Sequence, residues 1–301
     1  MSGNKVVVVG SLNADLTVRT ERFPQPGETL TGSELVIVPG GKSANQAAAA
    51  AILGADVVLC GAVGADGHGD LLLEAAAGAG VDISAVVRRE GTATGTAMIV
   101  VDAAGENTII VSPGANGTLQ GSDLPASLFT DAAVLCLSLE VPLETVVAAA
   151  ESAHSAGAQV LLNLSPYRDV PRDLLALTDV LLVNVHEAGQ LSGIGDPAAD
   201  WPAVTQSLAT RGIGRAVVTL GAGGSVVLDP SSQPAVQAIP AIPVDAVDTT
   251  GCGDAFTAAV AARLARGSTL AEAAAFASRA AALAAAGPGA QTSYPALATL
   301  N

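Results

Sequence analysis

Apolar positions along this chain fall into short unbroken runs separated by stretches with helical spacing. Val6–Gly10 is such a run, the pattern of a strand buried on both faces of a parallel sheet. Val57–Val63, Ala133–Leu137, Gln159–Leu162, Val180–Val183 and Ala216–Thr219 repeat it, and Val81–Val87 is a short extended run. Between them Ala47–Leu53, Gly69–Ala77, Leu143–Ala156, Leu174–Leu177 and Glu187–Leu191 read as helices, and Ala255–Arg266 and Leu270–Ala286 follow towards the end. This alternation predicts an α/β fold with a mainly parallel, helix-covered sheet. Two segments break it. Residues 23–38, with Pro24, Pro26 and Gly27 ahead of Thr29–Leu30 and Leu35–Val38, read as edge strands and turns. Gly95–Val101 and Asn107–Val111 alternate around Ala103-Ala104-Gly105 and read as a hairpin. Residues 12–38 and 93–114 are expected to form a small β lid. Residues 1–11, 39–92 and 115–301 make up the α/β domain.

Composition narrows the function. Half of the 301 residues are apolar but few are aromatic, so the core is built from Ala, Val and Leu. A net charge of −15 argues against nucleic acid or an anionic membrane as the main partner. Lys5 and Lys42 are the only lysines, so a lysine inside a glycine loop stands out. Cys60 and Cys136 sit in apolar runs and read as reduced core residues, and the three histidines share no metal-ligand spacing. Val6–Val9 is too short for a signal peptide, and Glu272 and Arg279 interrupt the Ala-rich C-terminal segment, so a cytoplasmic protein is expected.

The chemistry centres on Asp248-Thr249-Thr250-Gly251-Cys252-Gly253-Asp254, a turn that opens a helix. Small residues at 251–253 leave peptide N–H groups uncovered at a helix N-terminus, where an anion binds. Asp254 adds a carboxylate beside them. Donors for a phosphate next to a base for a hydroxyl suit phosphoryl transfer to an alcohol. At a helix N-terminus Asp254 is expected to stay ionised, and the Cys252 thiol to titrate low.

Other polar residues follow strands, on the side where ligands bind in open sheets. Asn13 and Asp15 come after the first strand, and two such residues can grip vicinal hydroxyls; an Asx-turn explains them equally well locally. Gly40-Gly41-Lys42-Ser43-Ala44-Asn45-Gln46 runs into a helix but is not a Walker A loop, because Val36 stands where the first glycine belongs. Glu140 ends another strand. Asn184 and Glu187 can face one metal–phosphate, or form a capping box. Thr219-Leu220-Gly221-Ala222-Gly223-Gly224 suits a nucleotide's phosphates or a plain hairpin. Carbonyls of the loop 287–293 can join Asp248 and Thr250 around a cation.

Taken together these motifs resemble the PfkB carbohydrate kinase family, from Val6 to Pro295. The resemblance rests on Gly-Ser-Leu-Asn-Ala-Asp at 10–15, Pro-Gly-Glu-Thr at 26–29, Gly-Gly-Lys-Ser-Ala-Asn-Gln at 40–46 and Gly-Glu-Asn-Thr-Ile at 105–109. Pro-Gly-Ala-Asn at 113–116, Asn-x-x-Glu at 184–187, Asp-Thr-Thr-x-x-Gly-Asp at 248–254 and Gly-Ala-Gln at 289–291 complete it. It implies a doubly wound α/β domain with a β lid that often makes a homodimer, and ATP-dependent phosphorylation of the 5-hydroxyl of D-ribose. By the same resemblance Asn13, Asp15, Gly41, Lys42, Ser43, Ala44, Asn45 and Glu140 form the sugar loop and pocket, with Asp254 as base and Gly251, Cys252 and Gly253 as anion hole. Asn184, Thr219 to Gly224, Gly253 and Ser278 correspond to the ATP site, and Glu187 to the residue linked to Mg2+ and phosphate. Asp248, Thr250, Ala284, Gly287, Gly289 and Ser293 correspond to an activating K+ site. Ser43 departs from the family's usual Gly and Cys252 from its usual Ala.

Other readings are a kinase for deoxyribose, fructose, pseudouridine or another nucleoside, and a sugar or nucleotide sensor that keeps the fold without catalysis. A nucleoside calls for aromatic stacking, and Phe23 is the only aromatic residue before residue 129. A nicotinamide oxidoreductase would need a Gly-x-Gly-x-x-Gly at Gly10, which is missing.

Overall fold

The Val6–Val9 run becomes an interior strand with each of its side chains fully buried. The computed structural model describes residues 4–300. From the N-terminus, β1 (Lys5–Val9) leads to β2 (Asn13–Arg19), β3 (Val36–Gly40), α1 (Lys42–Ile52), β4 (Asp56–Gly64), α2 (Gly67–Gly78) and β5 (Asp82–Arg89). Next come β6 (Gly95–Val101), β7 (Asn107–Ser112), β8 (Ala132–Leu137), α3 (Leu143–Ser155), β9 (Gln159–Asn163), α4 (Arg172–Ala176) and β10 (Val180–Asn184). The chain ends with α5 (Val185–Ser192), α6 (Trp201–Thr210), β11 (Ala216–Thr219), β12 (Ser225–Leu228), β13 (Val236–Ile239), α7 (Cys252–Leu264) and α8 (Leu270–Ala285).

Nine strands make one sheet in the order β13-β12-β11-β10-β9-β8-β1-β4-β5, parallel except at β12 and β13. Alternate side chains of β1 enter two cores. Val6 and Val8 pack with alanines of α1, α7 and α8, and Val7 and Val9 with Ala149 of α3 and Leu174 of α4. Helices therefore cover both faces, as the alternation predicts. Alanine faces let α7 lie close to α1 and α8, which is how a core with few aromatics still fills its space. Cys136 is buried in this core and Cys60 in the one on the opposite face, and loss of hydration pushes both thiols up to about 12.

Strand order reverses beside β1: β4 and β5 extend the sheet one way, and β8 to β13 the other. A crevice opens outside the carboxyl ends of strands at such a point. Gly10 and Ser11 end β1 there, and Ser138 to Glu140 end β8.

A second sheet has the order β3-β2-β6-β7. β2 pairs in parallel with β6, which joins the early segment to the hairpin. Leu16 sits opposite both Ile37 and Met98, and Met98 opposite Ile110, so these four form one apolar row across the sheet. Ile37, Met98 and Ile110 are exposed on it, as are Val36, Ile109 and Val111 on the other face.

The structure differs from expectation at a few elements. Thr29–Leu30 forms no strand and follows a turn at 25–28, where Glu28 N donates to Gln25 O at 2.9 Å and the Glu28 carboxylate pairs with Arg22. The Val81–Val87 run belongs to the large sheet as β5. Residues 201–210 form a helix that the apolar spacing did not flag, capped by Asp200, whose carboxylate accepts from Ala203 N. No described helix is long and apolar enough to cross a membrane.

Candidate active site

Gly251 ends the turn before α7 with φ +73°, a conformation that side chains with a Cβ resist. A Cβ at Gly251 would also lie 2.6 Å from Ala290 Cβ and 2.7 Å from the Tyr294 hydroxyl. The turn is thus shaped by glycine and backed by a wall. The N–H groups of Gly251, Gly253 and Asp254 have no acceptor among the described residues. Cys252 differs from expectation: its N–H donates to the Thr249 carbonyl at 3.2 Å, closing the turn. The cradle is therefore Gly251, Gly253 and Asp254, without Cys252. The Cys252 thiol is half-buried, and desolvation followed by the charges of Asp248 and Asp254 pushes it up, opposite to the helix-terminus expectation.

Asp254 is buried at the first turn of α7. Asn45 Nδ2 donates to its Oδ2 at 3.0 Å and Gln46 Nε2 to its Oδ1 at 3.1 Å. Gln291 Nε2 in turn donates to Asn45 Oδ1 at 3.0 Å, which fixes the Asn45 amide with its NH2 group towards Asp254. Burial raises the pKa of Asp254, the Lys42 charge and the two amides work to lower it, and the net shift is upward. The helix terminus alone therefore does not set its titration. Gln46 and Gln291 were quoted in motifs but given no role; their signal was an amide side chain next to an assigned Asn and inside an assigned loop.

The sugar-side residues converge on the same space. Glu140 Oε2 accepts from the Ser11 hydroxyl at 2.5 Å and from Lys42 N at 3.0 Å, which leaves Oε1 free. Asp15 makes no side-chain hydrogen bond among the described residues, and its carboxylate lies against Gly40, where a Cβ would come 2.1 Å from Oδ2. Desolvation, then the charges of Glu140 and Asp254, raise Asp15 to about 7. Two sequence assignments are corrected. The Ser43 side chain is fully buried and its hydroxyl pairs with Ser138 Oγ at 2.9 Å, and Ala44 N donates to Ser11 O at 3.0 Å. Both are engaged by these bonds at the β1–α1 junction.

At the start of α5, Asn184 and Glu187 form a reciprocal capping box. Glu187 N donates to Asn184 Oδ1 at 2.9 Å, and Asn184 N to Glu187 Oε2 at 2.8 Å. The local reading of that spacing therefore holds, while Asn184 Nδ2 and Glu187 Oε1 stay uncommitted. The turn at Thr219–Gly224 closes through Leu220 N to Gly224 O at 2.8 Å, and Gly221, Ala222 and Gly223 are exposed. Ser278 is buried on α8. Nearby, Ile242, Val244, Arg279 and Leu283 line a cavity of about 360 Å³. Asp248 ties two loops together, accepting from Thr250 N and Gly289 N at 2.9 Å each. Burial works to raise its pKa, but these bonds outweigh it and hold the carboxylate low. Ala284 O accepts from Gly287 N at 3.2 Å, and the Ser293 hydroxyl donates to Ala290 O at 2.9 Å.

The chain matches the description "pfkB family carbohydrate kinase" over residues 4–297. It is 36% identical to ribokinase of Staphylococcus aureus (strain COL), covering 99% of both chains. To deoxyribokinase of Salmonella typhi it is 33% identical, covering 98% of this chain and 97% of that one. The solved structure of Arabidopsis thaliana ribokinase complexed with ribose and ATP aligns with a TM-score of 0.91 at 32% identity, over 99% of this chain and 97% of that chain. The Asp254 carboxylate beside a peptide cradle, set at the switch point of a doubly wound sheet, is thus carried by a chain that belongs to the pfkB family of carbohydrate kinases.

Proposed function

We propose that this protein is an ATP-dependent sugar kinase that phosphorylates the 5-hydroxyl of D-ribose to give D-ribose 5-phosphate. The observation that carries the reading is Asp254, held by Asn45 and Gln46 with uncommitted N–H groups at its own residue and at Gly251 and Gly253. The relatives that share a third of their residues with the chain support ribose as the acceptor.

The reaction follows from the groups present. Asn13, Asp15 and Glu140 bind the ring hydroxyls and aim the primary hydroxyl at Asp254. The triphosphate lies along the Thr219–Gly224 turn and Asn184, with the base in the cavity beside Ile242 and Leu283. Hydroxyl oxygen attacks the γ-phosphorus in line, the bond to the β-phosphate oxygen breaks, and the proton passes late to Asp254. The cradle N–H groups hold the charge on the equatorial oxygens, a contribution of about 10²–10³ per donor. The β lid, residues 12–38 and 93–114, excludes water that would otherwise take the phosphoryl group.

Two ions fit the donors available. Glu187 Oε1 and Asn184 would hold hydrated Mg2+ beside the phosphates, where it supplies charge neutralisation. The oxygen-only set at Asp248, Thr250, Ala284, Gly287, Gly289 and Ser293 suits a hard monovalent cation such as K+, which supplies rigidity to the cradle from behind. The exposed apolar residues on the lid sheet fit a homodimer formed through that sheet.

The test is ATP consumption with ribose, deoxyribose, fructose, adenosine and pseudouridine, in K+ and in Na+. Ribose turned over with the highest kcat/KM, and lost by orders of magnitude in Asp254→Asn with ribose still bound, is the expected result. A preference for deoxyribose would assign the chain to the activity of its 33% identical relative. No turnover with any acceptor would overturn the kinase reading.

A further inference from the structure

Asn116 lies in the segment Pro-Gly-Ala-Asn that leaves the lid, is 1% exposed, and has no part in the chemistry above. All of its side-chain bonding goes to Leu12 and Asn13, where the chain enters the lid. Leu12 N donates to Asn116 Oδ1 at 3.0 Å, and Asn116 Nδ2 donates to Leu12 O at 2.9 Å and to Asn13 Oδ1 at 2.7 Å.

These bonds form a chain of forced orientations. A peptide N–H and C=O cannot exchange places, so Leu12 dictates which end of the Asn116 amide is oxygen and which is nitrogen. Asn116 therefore meets Asn13 with an N–H, and Asn13 must offer its oxygen in return. The Asn13 NH2 group is left pointing the other way, with no acceptor among the described residues. Asp15 lies two residues on along β2, on the same face, and its ionised carboxylate offers only acceptors.

We infer that Asn116 is a positioning residue that fixes Asn13 as a hydrogen-bond donor, so that Asn13 and Asp15 present one donor and one acceptor to a pair of neighbouring sugar hydroxyls. This rests on the kinase reading above. A hydroxyl can donate to Asp15 while its own or its neighbour's oxygen accepts from Asn13. With Asn13 reversed, the pair would offer acceptors only, and one hydroxyl oxygen would face the Asn13 carbonyl without a hydrogen between them.

Gly95 belongs to the same device. It sits opposite Asn13 in the β2–β6 pairing, and a Cβ there would lie 2.2 Å from Asn116 Nδ2 and 2.4 Å from Asn13 Oδ1. A side chain at 95 would push the two amides apart.

The experiment is a double-mutant cycle on sugar KM with Asn116→Asp and Asn13→Ala. Asn116→Asp keeps the shape but replaces the donors with acceptors, which rewards reversal of Asn13. It should raise the ribose KM by about tenfold to a hundredfold while the ATP KM stays within about twofold. In the Asn13→Ala background the same change should add less than about twofold, because the residue it acts through is gone. Equal effects in both backgrounds would overturn the inference and assign Asn116 a purely structural role. If Asn116→Asp does not fold, Gly95→Ala enters the same cycle with the same expected and contrary outcomes. Absence of sugar turnover in the unmodified enzyme would instead strike the kinase reading, so the two failures are distinct.

Discussion

Gln46 Nε2 donates to Asp254 Oδ1 at 3.1 Å, a bond from α1 to α7 that, with Asn45, gives each oxygen of the carboxylate its own amide donor. Burial pushes Asp254 up, and these two bonds oppose it. Removal of one by Gln46→Ala favours the neutral carboxyl and raises the pKa further. The acid limb of the kcat–pH profile should then move to higher pH, and kcat should fall by about tenfold or more. An unshifted limb would show that Gln46 supports only the packing of α1.

Asp15 gives a stability signature of its own. Its pKa in the folded, sugar-free protein is about 7, against 3.8 for the free side chain. Between these values the folded state holds a proton that the unfolded state has released, so stability falls as pH rises from about 4 to 7 and is level above that. Asp15→Asn removes the titration. The variant should therefore gain in Tm over the parent at pH 8, and gain little at pH 4.5, while its ribose KM rises at both. A Tm difference independent of pH would show that Asp15 does not titrate in this window.

Asp248 bridges the turn before α7 and the loop after α8 through Thr250 and Gly289. Asp248→Ala frees both N–H groups and removes a charged oxygen from the proposed cation site. The parent enzyme should turn over faster in K+ than in Na+ at equal ionic strength, and the variant equally in both. Retained K+ preference in the variant would place the cation elsewhere.

The lid carries the fourth prediction. Ile109 and Ile110 are 51% and 61% exposed and point to opposite faces of β7. The double variant Ile109→Glu, Ile110→Glu should sediment as a monomer, whereas the parent sediments as a dimer. A parent that sediments as a monomer at micromolar concentration would remove the lid from dimer assembly.

Much of this arrangement was legible in the sequence, for identifiable reasons. The β1 run is apolar at every position because both faces are buried, and that made the parallel sheet readable. Asp254 and the glycines before it stood out because small residues leave peptide N–H groups uncovered beside a carboxylate at a helix start. The places of Ser43 and Ala44 were not legible: they directly follow Gly41 and Lys42, yet the first turn of α1 sets them at the junction with β1 and β8. Spacing along a chain does not say which side of a helix start a ligand occupies. The bonds of Gln46, Gln291 and Asn116 span 208, 246 and 103 residues, and no local pattern could reveal them. The Cys252 thiol was misjudged because the helix terminus was counted, while its burial and then the flanking carboxylates were not.

Helix α1 grips Asp254 from one end and carries Lys42 at its start, so in the proposed reaction recognition and proton transfer share one rigid body. An ill-fitting acceptor that displaces the start of α1 drags the carboxylate off its line as well. Selectivity against wrong sugars should then show itself in turnover as much as in binding, and broadening the acceptor range by mutations in the Gly41–Asn45 loop should slow even the natural reaction.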